Sequence, residues 1–486
     1  MTSLAHKAFG GASITLFWQA ARIVILITSI AILARLLSPE DFGLFAMVTA
    51  LIGIGELLRD FGLSYASIQS KTLSDEERTN LFWLNAAAGV LLMVIVFSLS
   101  WPIGYLYGDS RLIKIAQILS VTFLVNGLAT QFKANVNRDL KFMRLGIIET
   151  VPQAIGAFAA ILVALVSHSF WALVVQALLA AGTGAALCVI LTTWRPGRYR
   201  RDVPIRHFVR FAGALVGTQA IGYVARNADS VLLGALRGPT ELGLYNRAYQ
   251  IMLLPLNQVT APLSRVAVPV LSRLQDDHKV FVNYLKTAQF ATVTLTSVFY
   301  GATIGFAAPL VLIMLGSQWL SAITILQILA VSGIFQSLGQ VPYWTFIATG
   351  KTGSQFRTAL LGRPLIVVAI AVGINWGAIG VAAGSAIGHG IFWALNMWMV
   401  SRATQLPFGR LALSGITLVG VFGVPIAIVG TVAVHFLGPN WLALTLGGAP
   451  ALIWVLFAML LVPPYRREMS RFVRIARGRQ DPPGDV

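Results

Sequence analysis

The chain has 486 residues, of which 57% are hydrophobic and only 11% are charged, and its mean hydropathy is +0.77. Soluble domains carry about 25% charged residues, so this composition excludes an ordinary soluble protein and indicates one that crosses a membrane many times. The net charge of +18 does not indicate nucleic-acid binding, because the basic residues lie in short gaps between apolar segments.

The apolar segments predict an all-α membrane protein with about 14 transmembrane helices, since each span needs about 20 apolar residues. The first spans are predicted at 12–36, 42–58, 80–106, 112–132, 145–167 and 170–193. The later ones are predicted at 208–236, 242–263, 286–315, 319–349, 357–376, 378–400, 411–437 and 440–462. The first segment is interpreted as a span and not as a signal peptide, because Arg22 interrupts it and no small-residue cleavage site follows.

Lysine and arginine concentrate in alternate gaps between the predicted spans. The gap that contains Arg195, Arg198 and Arg200 is basic, whereas the turn at 167–169 has no lysine or arginine. The positive-inside rule therefore predicts a multi-pass protein of the cytoplasmic (inner) membrane with both termini in the cytoplasm. The basic tail at 465–486 is expected to bind membrane lipids on the inner leaflet.

A repeated stretch organises the chain. Residues 32–45 and 232–245 share a pattern in which Pro39 and Gly43 return as Pro239 and Gly243. An even number of predicted spans separates the copies, so the halves are parallel repeats, and such transporters bind substrate near mid-membrane at the repeat interface. The predicted domains are six-helix lobes at 1–200 and 201–405, additional helices 13 and 14 at 406–464, and a basic cytoplasmic tail at 465–486.

Charged and polar side chains inside spans are the candidate substrate-binding residues, because a charge at a helix centre costs about 2.5 to 3.5 kcal/mol and usually faces a cavity or a partner. These residues are Gln19, Arg22, Gln219, Arg226, Asp229 and Arg247. A cation-lined cavity would bind phosphate or carboxylate oxygens.

Other polar residues inside the predicted spans, and two of the candidates themselves, have structural interpretations. Arg226 and Asp229 are three residues apart on one helix and could neutralise each other. Glu149 lies close to the basic loop that ends at Arg144 and is interpreted as an interfacial ion-pair partner. Cys188 is predicted to be buried, and His389 to pack or form hydrogen bonds.

Glycine spacing in the twelfth predicted span indicates close helix packing. Gly380, Gly384 and Gly388 follow one another at intervals of four residues, which places a strip without side chains along one helix face. Neither a metal-binding cluster nor a nucleotide-binding motif occurs in the sequence, so no cofactor is predicted.

Four stretches resemble the Wzx-type polysaccharide flippases of the multidrug/oligosaccharidyl-lipid/polysaccharide exporter superfamily. They are ARLLSPEDFGLFAM at 34–47, GLSYASIQSKTLSDEERTNLFWLN at 62–85, NRDLKFMRL at 137–145 and LLGALRGPTELGLYNRAYQI at 232–251. The resemblance implies two six-helix lobes in a V with two additional C-terminal helices. Related flippases place arginines of spans one and eight in a central cavity. Arg22 and Arg247 lie on the corresponding spans of this sequence and are the matching candidates.

The resemblance also implies a function. The expected activity is alternating-access transport of an undecaprenyl-diphosphate-linked oligosaccharide from the inner to the outer leaflet, for exopolysaccharide or lipopolysaccharide assembly. Expected partners are this lipid-linked oligosaccharide, membrane lipids, and the polysaccharide polymerase and chain-length machinery. Coupling to protons or sodium ions stays open.

Two other functions compete with this one. An ion-coupled drug or cation exporter of the same fold would need a membrane-embedded acid facing the cavity, for which Asp229 and Glu56 are candidates. A membrane-embedded glycan polymerase or ligase would need catalytic groups on large external loops, whereas the predicted outer turns are short. The sequence therefore predicts a transporter with no catalytic residues, and not an enzyme.

Overall fold

The computed structural model describes residues 2–60, 73–139, 141–203, 223, 226–404 and 406–476. Within these ranges the regular structure is helical and contains no β-strand. The predicted all-α fold is confirmed. A bilayer offers no water to an exposed backbone amide, so a spanning segment must satisfy its own donors and acceptors, as a helix does.

Two compact units divide the chain at residues 243 and 244, Met1–Gly243 and Leu244–Val486. The first unit contains Thr2–Leu36 (α1), Pro39–Asp60 (α2), Asp75–Tyr107 (α3), Arg111–Arg138 (α4), Phe142–Ser167 (α5), Trp171–Ile190 (α6) and the start of Pro239–Pro255 (α7). The domain boundaries inferred from the repeat, at 200 and 405, stay predictions.

The second unit continues α7 and adds further helices, several of them separated by only one or two residues. They are Ala261–Arg273 (α8), His278–Gly305 (α9), Ala307–Met314 (α10), Ala322–Leu338 (α11), Gln340–Ala348 (α12), Thr352–Gly373 (α13), Gly377–Thr404 (α14), Phe408–Leu418 (α15), Val424–Leu437 (α16), Trp441–Leu461 (α17) and Pro463–Ala476 (α18). A π-helical turn follows α7 at Leu256–Thr260 and another precedes α16 at Val419–Gly423.

The described part of the chain has ten helices that are long and apolar enough to cross a membrane, or up to eleven if a pair bent by 78° counts as one span. That pair is α9 and α10. Helices occupy the predicted spans wherever these are described, and span 208–236 lies mostly outside the described residues. The total of about 14 spans is therefore not confirmed by this count.

Side chains at the helix ends explain where the third helix begins and ends. At the start of α3, the Ser74 hydroxyl accepts a hydrogen bond from the Glu77 amide, and the Glu77 carboxylate accepts one from the Ser74 amide. This capping box satisfies amides that have no partner within the helix. At the other end Gly108 adopts a left-handed conformation with φ 66°, which glycine reaches without steric cost.

The two copies of the repeated turn touch each other within the first unit. A Cβ atom added to Gly43 would lie 1.7 Å from the carbonyl oxygen of Pro239, and one added to Gly243 would lie 1.8 Å from that of Pro39. Neither position has room for a side chain. The glycine that the sequence repeats is thus explained by contact with the proline of the other copy.

The glycine strip of α14 packs against α13, as predicted. Added Cβ atoms would lie 2.0 Å from the Gly373 oxygen at Gly380, 2.3 Å from the Ala369 oxygen at Gly384, and 2.8 Å from Ile366 Cα at Gly388. The two backbones approach closely along this strip, which confirms the packing interpretation of the spacing.

Candidate functional site

An ionic cluster on three helices lies inside the first unit. The Arg22 Nη2 atom of α1 donates a hydrogen bond to Glu149 Oε2 of α5 at 2.6 Å. Lys133 Nζ of α4 lies 2.8 Å from Glu149 Oε1. One carboxylate therefore bridges two cations with a different oxygen for each.

Packing of α1 along α5 fixes the position of Arg22. One helical turn before Arg22, the indole of Trp18 occupies the space beside Gly146, where an added Cβ would lie 2.1 Å from Trp18 Cδ1. Further along α1, Ser29 is buried and its hydroxyl accepts a hydrogen bond from Gln176 of α6 at 3.4 Å. Gln19 is half-buried on the same helix.

The cluster lies near one end of the membrane-spanning region and is partly open. At a rise of 1.5 Å per residue, Glu149 lies about 10 Å from the start of α5, and Lys133 about 8 Å from the end of α4. Side-chain exposure is 30% for Arg22, 27% for Glu149 and 49% for Lys133. The groups can thus be reached by a ligand, and together they carry one net positive charge.

Arg226 and Asp229 lie in different surroundings on one helical segment of the first unit. The Arg226 side chain is exposed, whereas Asp229 is buried. The Asp229 carboxylate accepts hydrogen bonds from the Ser230 amide at 2.7 Å and from the Ser230 hydroxyl at 3.3 Å. Gln219, predicted to share this helix face, lies outside the described residues.

Arg247 belongs to a short polar network on α7 in the second unit. Its Nη1 atom donates to Gln250 Oε1 at 2.7 Å, and Gln250 Nε2 donates to Asn246 Oδ1 at 2.9 Å. The Arg247 side chain is half-buried. The network orients the guanidinium.

His389 takes part in a second polar group of the second unit. Its Nδ1 atom lies 2.8 Å from the Ser385 carbonyl oxygen and 3.2 Å from the Ser332 hydroxyl. This arrangement confirms the hydrogen-bonding interpretation of His389. Cys188 is also buried as predicted, in a cluster with Phe82, Phe132, Val136 and Ile148.

The sequence singles out Arg22 as a charge inside a span but does not indicate its partners. Glu149 is 127 residues away in sequence and lies on another helix. The prediction that Glu149 forms an ion pair is confirmed, and its partners are Arg22 and Lys133. The signal available for Lys133 is its place directly after a predicted span.

Metal chemistry finds no support in the described residues, where no group of three or more His, Cys, Asp and Glu side chains could hold an ion. The cations Arg22 and Lys133, which share the Glu149 carboxylate, suit binding of an anion.

The long apolar helices define a multi-pass membrane protein. The fold is similar to that of a lipid II flippase, MurJ, in an inward closed conformation. The TM-score is 0.70 at 15% identity, over 93% of this chain and 100% of that one. The chain belongs to the polysaccharide biosynthesis protein family, whose family model matches residues 32–324.

Named relatives agree with this family. The chain is 29% identical over 394 residues to lipopolysaccharide biosynthesis protein WzxC of Escherichia coli, covering 79% of this chain and 78% of WzxC. It is 24% identical over 362 residues to teichuronic acid biosynthesis protein TuaB of Bacillus subtilis, covering 73% and 74%. The resemblance to Wzx-type flippases is confirmed, as is the prediction of a transporter and not an enzyme.

Proposed function

We propose that this protein moves an undecaprenyl-diphosphate-linked oligosaccharide from the inner to the outer leaflet of the cytoplasmic membrane, for exopolysaccharide or lipopolysaccharide assembly. Arg22, Arg226 and Arg247 bind the diphosphate, and the sugars occupy the polar cavity. Gln19, Gln219 and Asp229 are the further substrate-binding residues. Transport proceeds by alternating access, with both termini in the cytoplasm.

The observation that carries this proposal is the cation pair of Arg22 and Lys133 within apolar helices. Arg22 lies inside the first span, where a lone charge is costly, and it shares the Glu149 carboxylate with Lys133 near the end of α4. Guanidinium groups bind phosphate oxygens through two parallel hydrogen bonds. An excess of positive charge therefore suits a multiply charged diphosphate better than a cationic drug.

The comparisons support the same substrate class. WzxC and TuaB are named for the biosynthesis of two different cell-surface polymers, and MurJ is named as a flippase of lipid II. Carrying a lipid-linked precursor across the membrane is a step that such polymers share. On the outer face, the polysaccharide polymerase and chain-length machinery would receive the precursor.

Deletion of the gene, followed by analysis of lipid-linked intermediates, tests this function. We expect one defined diphosphate-linked repeat unit to accumulate on the inner leaflet. There its sugars should be protected from a glycan-cleaving enzyme that is added on the outer side of the membrane. The wild-type gene should restore export. Normal export with no accumulated intermediate would exclude the proposed function.

Charge reversal at Arg22 tests the binding role. Arg22→Glu places a second carboxylate beside Glu149, so it should repel the diphosphate and abolish polymer export. Arg22→Met, which removes the charge without repulsion, should reduce export at least about tenfold, the loss of about 1.4 kcal/mol of binding. Export is measured per amount of folded protein in the membrane, with Arg22→Lys as the conservative control. Unchanged export in Arg22→Met would contradict the role.

A further inference from the structure

We infer that Glu149 is an internal competitor for the substrate diphosphate, and that Lys133 is a further cation of the binding site, beside Arg22. This inference rests on the proposed function and deepens it. In the unloaded protein the Glu149 carboxylate occupies Arg22 and Lys133. When the lipid-linked diphosphate arrives, its oxygens take the place of the carboxylate.

The geometry of the cluster fits this exchange. Glu149 uses one oxygen for Arg22 at 2.6 Å and the other for Lys133 at 2.8 Å. A diphosphate also presents separate oxygens to two cations, so it can make the same two charge-assisted bonds. The buried Nε atom of Arg22 has no hydrogen-bond partner within the described ranges, so the ion pair with Glu149 does not use all the donors of the guanidinium.

The charge count argues against a purely structural ion pair. A structural pair would neutralise Glu149 with one cation, whereas here a third helix contributes Lys133 as a surplus positive charge. This surplus is compensated when a ligand with two or more negative charges binds.

Competition by Glu149 also explains how the substrate can leave. Two cations that bound a diphosphate without a rival would hold it tightly and release it slowly. A carboxylate tethered beside them lowers the net affinity and offers both cations a partner after the diphosphate departs. Glu149 therefore lowers the affinity of the site for the diphosphate and raises the rate of release. A transporter needs this balance, because it must bind and release its substrate in one cycle.

Binding measurements on the purified full chain in lipid nanodiscs test the inference. The probes are a prenyl diphosphate, a prenyl alcohol of the same length, and inorganic diphosphate. Comparison of the first two isolates the contribution of the diphosphate, and the third distinguishes a lipid-linked ligand from a soluble one. The variants are Glu149→Gln, Glu149→Asp, Lys133→Met and Arg22→Met.

We expect Glu149→Gln to bind prenyl diphosphate at least about tenfold more tightly than wild type and to transport it more slowly. Lys133→Met and Arg22→Met should each bind it more weakly, while binding of the prenyl alcohol stays unchanged. Glu149→Asp retains the competing charge and should lie between wild type and Glu149→Gln. Glu40→Gln is the matched control, because Glu40 forms a comparable 2.7 Å ion pair with Arg111 elsewhere in the same unit.

The outcomes separate the two proposals. If Arg22→Met weakens binding but Glu149→Gln leaves it equal or weaker, the competition is wrong and the proposed function stands. Unchanged binding in Lys133→Met would remove Lys133 from the site. If wild type binds prenyl diphosphate no better than the prenyl alcohol, both proposals fail.

Discussion

Asp109 shows how one ion pair shapes the turn between two spanning helices. It lies between α3 and α4, and its Oδ1 and Oδ2 atoms accept hydrogen bonds from Arg111 at 2.7 to 3.1 Å. Arg111 Nη2 also donates to Glu40 Oε1 of α2 at 2.7 Å. The hydrogen bonds from Arg111 hold the pKa of the Asp109 carboxyl below its usual range, although partial burial opposes this shift.

This pKa shift predicts a pH-dependent effect of Asp109→Asn. Because the folded pKa is lower than the unfolded value of about 3.9, Asp109 contributes stability above that value and loses it as the pH falls through the folded pKa. At neutral pH the substitution should cost less than about 1 kcal/mol, since Arg111 is largely exposed to solvent. Thermal unfolding in detergent between neutral and strongly acidic pH measures the effect. A difference from wild type that stays constant over this range would contradict the assignment.

The ion-pair partner of Arg22 is the part of the site that could not be predicted from the sequence. Arg22 was found because a charge within an apolar segment stands out in the sequence. Its pairing with Glu149 depends on how α1 packs along α5, which places Trp18 beside Gly146 one turn away. That packing is a tertiary contact, and no local pattern in either helix encodes it.

Helix positions, in contrast, were largely predictable from the sequence. Hydropathy identified them because lipid requires each span to satisfy its own backbone. Hydropathy does not report the interruptions, because it averages over a segment. A π-helical turn follows Pro255 at Leu256–Thr260, and α9 and α10 meet at a bend of 78°.

The last helix, α18, is more closely held by the protein than its sequence indicated. The ring of Tyr465 stacks on Phe290 with centroids 6.1 Å apart and meets the edge of Phe422 at 5.3 Å. One turn later, Glu468 Oε2 accepts a hydrogen bond from Thr287 at 2.7 Å. Part of the apolar face of this basic helix therefore packs on other helices of the second unit. Its binding to anionic lipid stays a prediction.

Docking of α18 predicts that Tyr465→Ala destabilises the second unit. Loss of the two ring contacts and the apolar area should cost about 1 to 3 kcal/mol. Arg466→Ala on the exposed side of the same helix is the control and should stay within about 0.5 kcal/mol of wild type. Thermal unfolding in detergent measures both variants. Equal melting temperatures for the two would show that the ring contacts do not hold the helix.

At the scale of the whole chain, the two copies of the repeated turn make a reciprocal contact. Gly43 meets Pro239 as Gly243 meets Pro39, with nearly equal distances. The contact is thus the same in both directions. The parallel repeat inferred from the sequence stays a prediction.

This symmetry predicts that the two glycines respond alike to substitution. A methyl group at either position would collide with a backbone oxygen and separate the turns. Gly43→Ala and Gly243→Ala should each cost about 1 to 3 kcal/mol or more. The double variant should cost less than their sum, because one separation relieves both clashes. Thermal unfolding and transport are the measurements.

The matched control is Gly182→Ala on α6, where an added Cβ would have no atom within 4 Å. It should behave like wild type. If Gly43→Ala is as well tolerated as Gly182→Ala, or if the two turn variants differ widely, the turns do not form a tight reciprocal contact.

The turn contact also couples the two copies of the repeated stretch. In a homodimer with twofold symmetry, the same patch of each subunit meets its own counterpart, and the reciprocal Gly–Pro contact has that form within one chain. Neither turn can therefore change alone, because a bulkier residue in one would displace the other.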